Sequence, residues 1–349
     1  MKALRIVGWK HDPELVEVPK PVPGPGQVVV KIGGAGACHS DLHLLHDFEP
    51  GMLPYALPFT LGHENAGWVD SAGPGVTSVT EGDAVAVYGP WGCGSCTRCQ
   101  LGVETYCENT SASYAPGGGG GLGADGGMAD YMLVPFERFL VKLPAGLEPS
   151  AAAPLTDAGL TPYHAVRRSW QKMTPDATVV IIGVGGLGHM AVQIVKRTTA
   201  ARVIAIDPKP AALAVATRSG ADHALVPDAH TQTVIRDLTR GHGADVVLDF
   251  VGSADTINLA RGAARMLGDV TIVGIAGGSV PFSFFSQPYE VSLQTTYWGS
   301  RPELVELLDL AARGVVHVEH HVHTLEDAPR VYEDLREGRI QGRAVIAPR

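Results

Sequence analysis

Basic residues are scarce in this chain of 349: 27 Lys and Arg stand against 36 Asp and Glu, for a net charge of −9 and a pI near 5.8. That balance argues against nucleic-acid binding, which needs a basic face. Long hydrophobic runs are missing too: none approaches the roughly 20 apolar residues that span a bilayer, so no membrane partner is expected. The opening Met1-Lys2-Ala3-Leu4-Arg5-Ile6-Val7-Gly8 lacks the apolar core and cleavage signal of an export leader. The expected setting is therefore cytoplasmic and reducing. Cysteine is also sparse, at five residues, and a reducing setting gives no reason to read them as a disulfide framework. Low complexity is confined to residues 117–127, a glycine-rich stretch that reads as a flexible surface loop.

The few cysteines are unevenly spent. Four form a C-x2-C-x2-C-x7-C run, Cys93, Cys96, Cys99 and Cys107. Thiolates at such spacing can close a tetrahedral Zn2+ to solvent, as a structural site does. Two disulfides or an iron–sulfur cluster use similar spacings, and zinc is the favoured reading. The fifth, Cys38, lies in Gly36-Ala37-Cys38-His39-Ser40-Asp41, ahead of Gly62-His63-Glu64. A lone cysteine is most often a small buried hydrophobe. A thiolate, an imidazole and a carboxylate from elsewhere would instead leave one metal position open, the pattern of a catalytic site.

At 349 residues and 45% apolar content, the chain has length for two globular domains. Up to about residue 150, short strand-like runs such as Val28–Ile32, Ala66–Val69 and Asp83–Val87 alternate with Gly/Pro turns, which implies a β-rich domain. Beyond Asp157 the texture changes. Thr178–Ile182 is a continuous apolar run of the kind that forms a buried parallel strand. A helical pattern follows over Met190–Lys196, then Arg202–Ile206 as a strand, an Ala-rich helix to Ser219, and strands at Val246–Phe250 and Val270–Val273. Such alternation implies a doubly wound α/β domain. A helix at Pro302–Ala312 and a strand near Ala344–Ile346 close the chain.

Between the first strand and helix of that α/β stretch lies Gly183-Val184-Gly185-Gly186-Leu187-Gly188, a G-x-G-x-x-G in the context that dinucleotide binding requires. The glycines permit the tight turn, the approach of a pyrophosphate and close helix–strand packing. Asp207 follows the second strand, about 20 residues on, where a carboxylate accepts from the ribose hydroxyls of NAD and repels a 2′-phosphate. An Asp before Pro208 is also a good turn residue, and nearby Lys209 softens the preference for NAD over NADP.

Cys38, His63, the four-cysteine run and the glycine turn come in the order found in one family. The chain resembles the zinc-dependent alcohol dehydrogenases of the medium-chain dehydrogenase/reductase superfamily over essentially its whole length. Pro154–His164 and Tyr297-Trp298-Gly299 look like those of actinobacterial NAD-dependent secondary-alcohol dehydrogenases. The resemblance implies an α/β protein, with a GroES-like β-rich catalytic domain at 1–158 and 298–349 and a Rossmann NAD domain at 159–297. It implies two zinc ions per chain, catalytic at Cys38, His63 and Asp157 and structural at Cys93, Cys96, Cys99 and Cys107. Asp157 stands where many relatives carry a second cysteine; read without the resemblance, it is a helix N-cap. NAD would lie against Gly183, Gly185, Gly186, Leu187, Gly188, Asp207, Lys209, Val251 and Val273.

The same resemblance assigns chemistry. Ser40 hydrogen-bonds the alcohol, and the proton leaves through the nicotinamide ribose to His43, although some close relatives carry an apolar aromatic at that position. Glu64 lies near the metal, and Asp41 accepts the second imidazole N–H of His63. Tyr55, Leu122, Phe285, Tyr297 and Trp298 are candidate walls of an apolar pocket, each equally readable as core. The implied reaction is reversible hydride transfer between NAD(H) and hydrophobic secondary alcohols or ketones; the alternative is a polyol or primary-alcohol enzyme of the same fold. Family members are dimers or tetramers, which places a seam at Gly268–Ile275 and the segment after it.

Overall fold

The computed structural model describes residues 1–109 and 118–348. They form two compact units, residues 1–160 with 299–349, and residues 161–298.

In chain order the first elements are β1 (Lys2–Ile6), β2 (Glu14–Glu17), β3 (Val28–Ala37), α1 (His39–His46), β4 (Phe59–Thr60), β5 (Glu64–Ala72) and β6 (Ala84–Val87). Next come α2 (Thr97–Gln100), β7 (Tyr131–Val134), β8 (Leu140–Lys142), α3 (Pro149–Ala152) and α4 (Leu160–Arg168). The middle of the chain supplies β9 (Thr178–Ile182), α5 (Gly188–Thr198), β10 (Arg202–Ile206), α6 (Pro210–Arg218), β11 (His223–Leu225), α7 (Thr231–Leu238), β12 (Ala244–Asp249), α8 (Ala254–Ala263), β13 (Ala264–Ile272) and β14 (Ser292–Thr295). The end carries α9 (Arg301–Ala312), β15 (His320–His323), α10 (Ala328–Arg336) and β16 (Arg343–Ile346).

In the first unit the main sheet runs β15-β16-β3-β5-β6-β8, with β7 also on β3 and a small β2-β1-β4 sheet beside it. Its register gathers distant residues. β16 is antiparallel to β3, with Ala344 opposite Ala37, and β5 is antiparallel to β3, with Glu64 opposite Gly36. The end of β3, the start of β5 and the start of β16 therefore meet, which brings together Cys38, His63 with Glu64, and Arg343.

The second unit is a parallel sheet in the order β11-β10-β9-β12-β13-β14, doubly wound as its sequence pattern implies. Every residue of β9 is buried, which is why Thr178–Ile182 shows no polar alternation. Ile182, Ile204, Val247 and Val270 from its strands pack with Ile235 of α7 and Ala260 of α8.

Two expectations need correction. Gly117 lies outside the described residues, and the remainder of the glycine-rich stretch, 118–127, is not a loose surface loop. Gly119, Gly120, Gly121, Gly126 and Gly127 are buried. A Cβ on Gly121 would lie 2.8 Å from the His63 backbone nitrogen, and one on Gly126 would strike the Gly62 carbonyl. The glycines are there for close backbone approach behind His63, not for freedom. Asp157 is not a helix N-cap either: α4 begins only at Leu160, and Asp157 ends a 3-10 turn over Ala153–Thr156.

Candidate functional site

Cys38 leaves β3 and opens α1, and Asp41 in the first turn of that helix folds back so that its Oδ2 accepts the Cys38 N–H at 3.1 Å. Asp41 is fully buried, and its Oδ1 lies 3.0 Å from Nδ1 of His63. The imidazole's other nitrogen, Nε2, then faces Asp157 Oδ2 at 3.5 Å and Ser40 Oγ at 3.2 Å. Cys38 Sγ is 4.0 Å from the same Asp157 oxygen. Ligand-type atoms of Cys38, His63, Glu64 and Asp157 all lie within 4.8 Å of one another.

This donor set suits a cation. Zinc bonds of about 2.0–2.3 Å give polyhedron edges of roughly 3.3–3.8 Å, close to the separations seen here. Burial alone would depress His63; the charge of Asp41 and a hydrogen bond accepted by Asp157 outweigh it and hold the imidazole well above its ordinary value. So negative a pocket asks for a positive charge, and zinc would take the place of the proton. Glu64 stands apart from the other three, because Arg343 holds it in a buried fork: Nε lies 3.0 Å from Oε2, and Nη2 bonds Oε1. Burial raises the Glu64 carboxyl and Arg343 works against that rise.

Arg343 and Tyr332 were not among the sequence-read site residues. Tyr332, 2% exposed on α10, donates its phenolic O–H to Asp41 Oδ2 at 2.8 Å. A guanidinium in the otherwise apolar β16 was a readable signal; Tyr332, among Ala328, Val331 and Leu335, reads as an ordinary core aromatic.

The four-cysteine lobe is also cation-shaped. All four thiols are free of disulfides, and their sulfurs lie within 4.8 Å of one another. Cys93 to Cys99 and Cys96 to Cys107 are each 3.9 Å, the edge expected of a zinc–sulfur tetrahedron, about 3.8 Å. The N–H groups of Ser95 and Cys96 point at Cys93 Sγ, and those of Cys99 and Glu108 at Cys96 Sγ, which stabilises thiolates. Burial pushes the Cys99 thiol up to about 12, so a cation is needed before all four sulfurs ionise together.

In the second unit Gly183 has φ +84°, and a Cβ on Gly188 would overlap the Gly183 carbonyl. Gly185 faces open space, with no atom within 4 Å of where its Cβ would be. That leaves room for a phosphate at the mouth of α5. Val251 packs over Gly183, and the Val273 N–H donates to Asp249 O. Asp207 accepts the Val184 N–H at 2.8 Å through Oδ2 and the Lys209 N–H at 2.8 Å through Oδ1. Each oxygen keeps a lone pair for a ribose hydroxyl. Lys209 itself is exposed.

His43 is half-buried, with Nδ1 2.5 Å from Asp47 Oδ2. Of the pocket candidates, Tyr55 is half-buried edge-on to Phe59 and beside Gly123, and burial raises its phenol. Leu122 is half-buried in the glycine-rich turn. Tyr297 meets Trp298 edge-on at 5.8 Å, and Trp298 is 4% exposed, a core residue of the second unit. Phe285 does not fit a wall within its unit: it lies in an irregular segment, 86% exposed, edge-on to Phe284.

The chain matches the alcohol dehydrogenase GroES-like domain family over residues 24–145 and the zinc-binding dehydrogenase family over 186–313. It is 34% identical to an NAD-dependent alcohol dehydrogenase of Sulfurisphaera tokodaii, with all of both chains covered. It is 33% identical to a D-arabinose 1-dehydrogenase (NADP(+)) of Saccharolobus solfataricus, covering 99% of this chain and 97% of that one. Among solved structures, the alcohol dehydrogenase of the hyperthermophilic archaeon Aeropyrum pernix superposes with a TM-score of 0.91 at 38% identity, covering all of both chains. Acetophenone reductase from Geotrichum candidum, solved with NAD, gives 0.84 at 32%, covering 99% of this chain and 96% of that one. A buried thiol–imidazole–carboxylate set, a four-cysteine lobe and an open glycine turn, joined to that full-length likeness, place the chain in the family of zinc-binding, NAD-dependent alcohol dehydrogenases.

Proposed function

We propose that this enzyme oxidises hydrophobic secondary alcohols and, in reverse, reduces the matching ketones. The convergence of Cys38, His63 and Asp157 carries the reading: three ligands of mixed type would leave the fourth position of a tetrahedral zinc for substrate, as in a catalytic rather than a structural site. Zinc held there would supply Lewis-acid polarisation of the alcohol oxygen, and bound NAD would supply the hydride acceptor. The chain's own residues do the rest. Ser40, whose Oγ lies beside His63 Nε2 on the ligand side, accepts the alcohol proton and passes it on. His43, whose Nδ1 meets Asp47 Oδ2, receives it. Glu64, held by Arg343, lies near the site without occupying a ligand position. Cys93, Cys96, Cys99 and Cys107 hold the structural zinc.

The apolar preference rests on Tyr55 and Leu122, half-buried in the unit that carries Cys38 and His63, and on the likeness to an acetophenone reductase. The likeness of Pro154–His164 and Tyr297-Trp298-Gly299 to actinobacterial secondary-alcohol enzymes points the same way. The D-arabinose relative keeps a polyol or sugar substrate as the second reading. Free thiols at all five cysteines suit a reducing, cytoplasmic setting, and among the described residues no helix is long and apolar enough to cross a membrane. Edge strand β14, with exposed Phe282, Phe284 and Phe285 just before it, is where we place the seam of a homodimer or homotetramer.

Replacing Cys38 or Asp157 with Ala should abolish turnover and remove one zinc per chain while leaving the melting curve close to wild type. Substantial turnover with only one zinc per chain would refute the ligand assignment.

A further inference from the structure

Asp41 is surrounded by more donors than a carboxylate needs merely to cap a helix. Its Oδ2 accepts the Cys38 N–H at 3.1 Å and the Tyr332 phenol at 2.8 Å, and its Oδ1 faces His63 Nδ1 at 3.0 Å. Tyr332 comes from α10, 291 residues further along the chain, and α10 packs on α1. The phenol is buried with a single hydroxyl donor, and Asp41 is the acceptor it meets. We infer that Tyr332 is a positioning residue for the catalytic zinc: its hydroxyl fixes the Asp41 carboxylate, which in turn fixes the ring plane of His63 so that Nε2 points at the metal.

The physical case rests on geometry. A carboxylate bound at one oxygen can swing about its Cβ–Cγ bond, and with it the imidazole that it orients. The Cys38 N–H lies on the same element as Asp41 and restrains the carboxylate from one side only. Tyr332 restrains it from a second element. Partners that orient a metal-bound imidazole typically change metal affinity by roughly 10- to 100-fold, and Tyr332 stands one bond further out.

The inference rests on His63 and Asp41 acting as ligand and orienting partner, and the experiment separates the two layers. Zinc is titrated out of the intact enzyme with a chelator, and the four-cysteine zinc serves as an internal reference. Tyr332→Phe, which keeps the ring and loses the hydroxyl, should weaken the less tightly held zinc by about tenfold and leave the four-cysteine zinc unchanged. In Asp41→Ala, which leaves no acceptor for the hydroxyl, the added Tyr332→Phe change should cost nothing more, because the hydroxyl acts through that carboxylate. Unchanged affinity in Tyr332→Phe, equal loss at both zinc sites, or full additivity in the double variant would overturn the inference. If Tyr332→Phe folds poorly, the same titration on Asp41→Asn and Asp41→Ala decides, since an unaltered affinity in both removes the carboxylate link on which Tyr332 depends. His63→Ala tests the layer beneath: two zinc ions retained per chain would overturn the ligand set itself, whereas loss of one with Tyr332→Phe unchanged would overturn only the role of Tyr332.

Discussion

Arg343 and Glu64 meet as a fully buried ion pair, 279 residues apart in sequence and joined because β16 and β5 flank the same end of β3. Such a pair adds little against an apolar substitute, but breaking it leaves one charge uncompensated. Here the charge left behind would be a carboxylate beside Asp157 and Cys38.

Arg343→Met should therefore destabilise the protein by about 3–5 kcal/mol, read as a clear fall in the thermal midpoint. Adding Glu64→Gln should recover much of that loss. A melting curve unmoved by Arg343→Met would mean that water reaches this pair.

Cys99→Ser should lower thermal stability more than it lowers kcat, because the four-cysteine lobe holds structure and lies outside the ligand set of Cys38, His63 and Asp157. Melting followed with and without added zinc measures the first effect, and steady-state rates below the melting range measure the second. An unchanged melting curve would count against a structural zinc.

Asp207→Asn should raise the NADP-over-NAD ratio of kcat/KM by about tenfold, the scale of one charge-assisted hydrogen bond of roughly 1.5 kcal/mol. The amide can still accept from one of the two N–H donors, Val184 or Lys209, so the glycine turn should survive. An unaltered ratio would show that other groups select the cofactor.

Gly121→Ala should cost about 1–3 kcal/mol by overpacking, and it should also lower turnover, because the new methyl presses on the backbone that carries His63. Activity measured well below the melting point separates the two effects. Full activity would show that the turn can give way without moving the imidazole.

The parts of the fold that advertise themselves in sequence are those buried on both faces. Thr178–Ile182 and Arg202–Ile206 coincide with β9 and β10 because helices cover the sheet. Edge elements were silent: β11, β14 and β15 are short and half-exposed and carry no apolar run. Strand β13 shows only its buried end, since Arg265, Met266 and Leu267 are exposed. At the site, short motifs brought Cys38, His63 and Ser40 to notice, and these three do converge. Arg343 and Tyr332 stayed hidden, because a charge's burial and a phenol's acceptor depend on strands and helices joined across nearly 300 residues. The glycine-rich stretch was misread for the same reason: glycine that permits close packing and glycine that permits motion look alike in sequence.

The most direct test of the central claim is the initial rate of NADH formation by zinc-replete enzyme with 1-phenylethanol, a medium-chain 2-alkanol, a primary alcohol and sorbitol. Hydride transfer in an apolar pocket predicts that the two hydrophobic secondary alcohols turn over fastest. Faster turnover of sorbitol or the primary alcohol would contradict that reading of the pocket, and no turnover of any of the four would contradict the proposed activity.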